Sequence, residues 1–338
     1  MADKLRWGIL GTSFISHTVT DAIVNSAGSS AHAVFGRDPS RLAAFADKFS
    51  VSKRYTKIDD LLDDNEVDVV YVGLPNHLHH DAVVAAAKRG KAILSEKSLC
   101  TNMEDAFSMT KACRDEKVFF LEGLMYLCHP FMDKVADIIR SGELGQLRSF
   151  NGHYAANIWK KANPLGLGTI YNLGCYPASL VQFIMETALG RDAFVQRRIQ
   201  ASGNRSSENN TIQDASLVIR FTNGVLANIF STDGYGNDFG FTVMGDKAVM
   251  RFTTNPWLPK AGDNVIEIKP YGGEARQVIV NGEFDAFGYQ VRKVEEYIKN
   301  RCLEAARPSP NLEQSVDLMG LLTEWEHGVS YISEERAT

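Results

Sequence analysis

Arg6-Trp-Gly-Ile-Leu10-Gly11-Thr-Ser13-Phe-Ile-Ser16 is the stretch on which the fold turns. It reads as a short apolar strand, a tight turn and the start of a helix. The dinucleotide fingerprint is G-x-G-x-x-G between a strand and a helix. This chain has Gly11-x-Ser13-x-x-Ser16. The first glycine makes the turn, and small residues at the other two positions still allow close backbone approach to a pyrophosphate and close helix–sheet packing. The loop residue Thr12 and the helix start at Phe14 and Ile15 add N–H groups and the positive end of a helix dipole. Alone, so degenerate a loop is more often a plain strand-to-helix turn, and its surroundings raise the dinucleotide reading.

Working outward, short apolar runs alternate with helical stretches. Strands are expected at 6–10, 32–35, 67–72, 92–94 and 118–121. Helices are expected at 14–27, 39–49, 81–89 and from a Thr101-x-x-Glu104 capping box onward. Asp38 and Pro39 form a helix start, and Gly90 a helix stop. Such alternation implies βαβ units and a doubly wound parallel sheet. After a connecting helix at 129–140 the pattern changes to alternating strands joined by Gly/Asn/Asp turns, with helices near 169–187, 286–301 and 311–327. That is a large, mostly antiparallel sheet with one covered face. The fold class is α/β, with residues 1–122 as the dinucleotide domain and 123–338 as the substrate and oligomerisation domain.

Composition narrows the function. The 338 residues carry 36 Lys+Arg against 41 Asp+Glu, a net charge of -5, which argues against a nucleic-acid partner while leaving room for one anionic ligand. No apolar run approaches the ~20 residues of a membrane helix. Met1-Ala-Asp-Lys runs straight into a strand, without a secretory leader. The five cysteines are odd in number and lack C-x-x-C spacing, which fits free thiols in the cytoplasm.

The end of the second strand indicates the dinucleotide. NAD enzymes usually carry an acid there for the ribose 2′-hydroxyl. Here Gly36-Arg37 ends the strand, with Arg41 one turn into the next helix. Two guanidinium groups without an obvious acid suit a 2′-phosphate, so NADP is expected ahead of NAD.

Two further segments, Leu74-Pro75-Asn76-His77-Leu-His79 and Glu96-Lys97-Ser98-Leu99, each follow a strand. With the N-terminal loop, Met125-Tyr126-Leu-Cys-His129-Pro130, Gly142-Glu-Leu-Gly145 and Gly166-Leu-Gly168-Thr-Ile-Tyr-Asn172-Leu-Gly174-Cys-Tyr176-Pro177, they resemble the glucose–fructose oxidoreductase/inositol dehydrogenase/MocA (Gfo/Idh/MocA) family, in particular its dihydrodiol dehydrogenase-like branch. The resemblance implies a Rossmann domain followed by an α/β domain whose open sheet commonly forms a homodimer or homotetramer. It implies cofactor contacts from Gly11 to Ile15 and from Gly36, Arg37, Arg41, Leu74, Pro75, Asn76, His79, Glu96, Lys97, Trp159, Lys160 and Tyr289. It implies a substrate site of Lys97, Tyr126, Asn157, Trp159, Asn172 and Tyr176. Catalysis falls to Lys97, Tyr176 and Asn172. The family's Glu-Lys-Pro is Glu-Lys-Ser here, and its usual Asp is Asn172.

The implied reaction moves a hydride between nicotinamide C4 and a hydroxyl or keto carbon of a sugar, polyol or sugar derivative. A tyrosine beside a lysine ammonium can give or take the accompanying proton. An amide at 172 can orient a hydroxyl but cannot take its proton. That departure also motivates a rival reading, a non-catalytic NAD(P)-binding regulator on the same fold. His77, His79 and His80 are a superficial metal motif, and no metal is expected of them, since a catalytic site needs about three well-placed ligands.

Overall fold

The computed structural model describes residues 4–161 and 163–335, with side chains as far as 329. Residues 1–3, on which the absence of a leader was read, lie outside them. The chain divides into two compact units, Met1–Cys128 with Phe284–Val316, and His129–Glu283 with Asp317–Thr338.

The first unit runs β1 (Leu5–Leu10), α1 (Phe14–Val24), β2 (Ser29–Phe35), α2 (Pro39–Phe49), β3 (Lys53–Tyr55), α3 (Ile58–Leu62), β4 (Val69–Val72), α4 (His79–Lys88), β5 (Ala92–Glu96), α5 (Met103–Asp115) and β6 (Phe120–Gly123). Its sheet has the order β3-β2-β1-β4-β5-β6, and every pairing is parallel. All four residues of β4 are buried, as a strand covered on both faces requires. Trp7, Ile9, Val34, Phe45, Tyr71 and Leu94 stand in the core. The order reverses between β1 and β4, so the crevice at the carboxyl ends of those strands is where such a sheet takes a ligand.

The second unit begins with α6 (Pro130–Ser141) and β7 (Leu147–Ala156). A π-helical turn, Ile170–Gly174, then runs into α7 (Cys175–Leu189). After α8 (Arg191–Val195) come β8 (Arg197–Arg205), β9 (Ile212–Phe221), β10 (Leu226–Thr232), β11 (Asn237–Gly245), β12 (Ala248–Phe252), β13 (Gly262–Pro270) and β14 (Arg276–Gly282). The sheet order is β14-β13-β12-β11-β7-β10-β9-β8. All its pairings are antiparallel except β7 with β10. From Ala215 to Phe221 burial alternates strictly, the mark of one covered face. The residues of α7 from Cys175 to Met185 are all buried, so this part of the helix is covered on every side.

Two helices close the chain, α9 (Ala286–Lys299) and α10 (Leu312–Glu335). The sequence reading cut the chain once, at 122/123, and put α9 in the second domain. In the structure α9 packs in the first unit. Val291 and Val294 join that unit's core, and Glu295 accepts hydrogen bonds from Ser26 (2.6 Å) and Ser29 (2.5 Å). The sequence also missed β3 and α3, which are too short to carry a period. The cap of α5 lies one residue beyond the expected Thr101. Asn102 accepts from the Asp105 N–H and donates to its carboxylate, both at 2.8 Å.

Candidate functional site

The first unit gathers its candidate residues along the carboxyl edge of its sheet. Gly11 has φ +109°, and a Cβ there would lie 2.8 Å from the Gly73 carbonyl oxygen, so only glycine lets the β1 and β4 loops approach this closely. Ser13 caps α1, accepting from the Ser16 N–H, and the two hydroxyls lie 3.1 Å apart. Thr12 and Ile15 are half-buried, and Phe14 is exposed on the first turn. This cradle of close backbone and a helix start fits a pyrophosphate.

Gly36 is buried against Thr12 and Leu42. Arg37 and Arg41 are exposed beside this loop, and Arg41 donates to the Thr12 carbonyl at 3.5 Å. Asp38, the one acid at this strand end, is committed to capping α2. It accepts from Ser40 (2.6 Å) and from the Arg41 N–H (2.9 Å), and these bonds lower its pKa below the usual carboxylate range.

Leu74, Pro75 and Asn76 are half-buried on the loop after β4. His79 is fully buried. Its Nε2 lies 2.8 Å from the Leu74 carbonyl, and its Nδ1 lies 3.0 Å and 3.2 Å from those of Ser98 and Leu99. It ties the 74 loop to the 98 loop, and burial pushes its pKa down. Lys97 is half-buried at the end of β5, and its peptide bond to Ser98 is cis. Beneath it Glu96 is buried, accepts from the Tyr71 hydroxyl at 3.0 Å, and is shifted upward by burial. On neighbouring β6 Glu122 is also buried, and its carboxyl is pushed up to about 7, mainly by burial. No sequence signal marked Glu122. Tyr126 is fully buried in a turn at 125–128, and Tyr289 lies edge-on to Phe284 at 5.6 Å.

His77, His79 and His80 do not act together. The His80 ring engages Asp81 (2.8 Å) and Ser108 (3.0 Å). Among the described residues, one group could hold a metal, His32, Asp64 and Glu66, and Lys53 ion-pairs with both acids of it.

In the second unit Asn172 lies in the π-helical turn and Tyr176 in the first turn of α7. Local π geometry recurs at functional sites. Gly168 seats this turn. It has φ +90°, a Cβ on it would fall 2.2 Å from the Ile212 carbonyl oxygen, and its own carbonyl accepts the Asn172 N–H at 3.0 Å. Tyr176 is 6% exposed, edge-on to Tyr154 at 5.4 Å and tilted on Trp257 at 6.2 Å, so two rings fix its plane. Burial pushes Tyr154 up to about 12. Trp257 is wholly buried, donates to the His153 carbonyl, and is an aromatic wall behind Tyr176.

Asn157 and Lys160 are exposed and Trp159 half-buried, with the Lys160 ammonium 5.6 Å from the Trp159 ring. The N–H groups of Ile158 and Trp159 both donate to the Asp233 carbonyl at 2.9 Å. The Asp233 carboxylate accepts from Asn172 Nδ2 at 2.8 Å. Asp233 is 2% exposed, and burial raises its carboxyl to about 6. The sequence reading passed over it, because a lone Asp before Gly234 reads as a turn residue.

Two family models match the chain. The model for an oxidoreductase family with an NAD-binding Rossmann fold covers residues 5–124, and the GFO/IDH/MocA C-terminal domain covers residues 132–251. A D-xylose 1-dehydrogenase (NADP(+)) of Haloferax volcanii is 31% identical over 189 residues, 54% of this chain and 58% of that one. A trans-1,2-dihydrobenzene-1,2-diol dehydrogenase of Mus musculus is 28% identical over 232 residues, 65% and 66% of the two chains. The chain spans a little over half the length of the first curated relatives it matches. A 3-ketoreductase of Actinomadura kijaniata, solved with NADP and TDP-benzene, superposes with a TM-score of 0.85 at 21% identity, covering 97% of this chain and 98% of that one. At that identity the likeness speaks for the fold.

Proposed function

The chain belongs to the Gfo/Idh/MocA oxidoreductase family, and we propose that it is an NADP(H)-dependent oxidoreductase acting on a hydroxyl or keto group of a sugar, polyol or sugar derivative. One observation carries the cofactor reading. Arg41 bonds to the phosphate loop at Thr12, while Asp38, the one acid nearby, is spent on capping α2. Arg37 and Arg41 would hold a 2′-phosphate, and the Gly11–Ser13 cradle the pyrophosphate. The bound nicotinamide supplies the carbon that gives or accepts the hydride. Tyr176 gives or takes the proton at the reacting oxygen, Lys97 donates a hydrogen bond to that oxygen, and Asn172 orients it. The substrate class is supported by relatives named as dehydrogenases and reductases of xylose, dihydrodiols, anhydrofructose and dideoxyglucose nucleotides.

The free thiols fit a reducing cytoplasm. Burial pushes Cys100 and Cys113 to about 12, so neither is a nucleophile at neutral pH. Among the described residues no helix is long and apolar enough to cross a membrane. We assign the uncovered face of the eight-stranded sheet, where Val218, Leu226 and Ile279 are exposed, to a homodimer or homotetramer contact.

The test is turnover of NADP+ and NADPH with a panel of aldoses, polyols and keto sugars. Turnover with at least one of them, faster with NADP(H) than with NAD(H), is expected. Tight NADPH binding without turnover of any member would replace this reading by that of a non-catalytic regulator.

A further inference from the structure

We propose that Asp233 is a positioning residue of the reaction site, whose carboxylate holds the Asn172 amide and so fixes which end of that amide meets the reacting oxygen. The inference rests on the reading of Asn172 and Tyr176 as substrate-side residues.

Both members of the pair are held in place by backbone. Asp233 donates its N–H to the Gln213 carbonyl at 3.1 Å, and its own carbonyl accepts from Ile158 and Trp159. Asn172 donates its N–H to Gly168, which is seated against Ile212 too closely for any side chain. The carboxylate–amide bond of 2.8 Å therefore joins two anchored groups.

The polarity of that bond follows from the chemistry of the partners. An ionised carboxylate only accepts, whereas an amide has a donor end and an acceptor end. Asp233 takes the NH2 end and turns Oδ1 of Asn172 away from itself, as an acceptor for an alcohol O–H. The family pattern has an acid in the place of Asn172. Here an acid stands one hydrogen bond farther back. Asp233 transfers no proton in this scheme; the proton of the reaction belongs to Tyr176.

Protonation relaxes the arrangement. A neutral Asp233 can also donate to Oδ1, and it then no longer dictates which end of the amide it holds. Burial holds the carboxyl at about 6, with Asp214 raising it further and the Asn172 bond opposing both. The ionisable residues on the surrounding elements are Asp214 on β9, Lys160 and Lys161 in the turn after β7, and Tyr171 and Tyr176 on the helix.

The experiment compares wild type, Asp233→Asn, Asn172→Asp and the exchange Asn172→Asp/Asp233→Asn. Asparagine at 233 keeps the shape and the backbone bonds but no longer dictates the polarity of the pair. It should lower kcat by about 10- to 100-fold, the scale of one hydrogen bond to a charged group, leave NADPH affinity unchanged, and remove the break near pH 6 from the wild-type kcat profile. The exchange should recover most of the lost kcat. Wild-type kcat and pH profile in Asp233→Asn would overturn the proposal, as would an exchange no better than the single variant.

A readout independent of turnover is the carboxyl carbon resonance of 13C-aspartate-labelled protein. One resonance should titrate near pH 6, vanish in Asp233→Asn, and move upward in Asn172→Leu, which keeps the bulk and removes the donor. A titration unmoved by Asn172→Leu overturns the pairing whatever the activity. A wild type inactive on every sugar overturns the functional reading instead and leaves the pairing to be decided by the resonance.

Discussion

Replacing Glu122 by Gln should open a pH-dependent gap in stability. Glu122 is 1% exposed on β6, and on β5 the next carboxyl, Glu96, stands opposite Gly123. Burial, with the charge of Glu96 adding to it, pushes Glu122 up to about 7. An unfolded chain ionises it near ~4.3, so the difference is between two and three pH units, about 3–4 kcal/mol. The sign follows from which state holds the proton. Below ~pH 4 both states are protonated and the site has no cost. As pH rises to ~7 the unfolded chain ionises while the fold does not, and stability falls by about 1.4 kcal/mol per unit. Above that both are ionised and the loss levels off. Glutamine titrates in neither state. Urea denaturation of the two proteins across this window should give curves that diverge from acid to neutral pH and then run parallel, with Glu122→Gln the more stable relative to its acid value. Curves parallel throughout would refute the claim that this carboxyl is protonated in the fold, whatever their offset.

Arg37→Ala/Arg41→Ala should weaken NADPH binding by about 10- to 100-fold and leave NADH binding nearly unchanged; fluorescence titration of both cofactors checks it. Tyr176→Phe should lower kcat by about 10²- to 10⁴-fold, the usual worth of a positioned acid–base group, with an unchanged circular dichroism spectrum and cofactor affinity. Gly11→Ala forces a side chain into φ +109° and against the Gly73 carbonyl. It should cost about 1–3 kcal/mol in denaturation and weaken NADPH binding, whereas alanine at the open turn Gly224, which has a positive φ but no neighbour, should cost stability without touching the cofactor.

The parallel sheet was legible because its signals are local. Strand β1, Gly11 and the helix after it fall within a dozen residues, and a fully buried strand such as β4 shows as an uninterrupted apolar run. Packing between distant segments was not legible. The place of α9 is set by Glu295 meeting Ser26 and Ser29, 269 and 266 residues away, and no period or motif encodes such a contact. The π-helical turn escaped for a related reason. An α and a π register of the same residues differ in the hydrogen bonds they make, and here they are selected by the seat of Gly168 on Ile212.

The same division runs through the candidate site. Motif positions such as Lys97, Asn172 and Tyr176 are named by the family resemblance, because a motif records which residue types recur. What those residues do also depends on groups that spacing never joins to them. Glu122 and Asp233 are single acids without pattern, and each acquires meaning only when the fold strips it of water beside a motif residue. Burial of a carboxyl is costly unless it is paired or protonated. A chain that keeps an acid behind Asn172, where that amide has replaced the family's own acid, bears this cost where it bears on the chemistry. Read from the sequence alone, Asn172 is a lost carboxylate. With Asp233 2.8 Å behind it, that amide is held by a buried carboxylate, and the proton transfer proposed for Tyr176 requires no acid at 172.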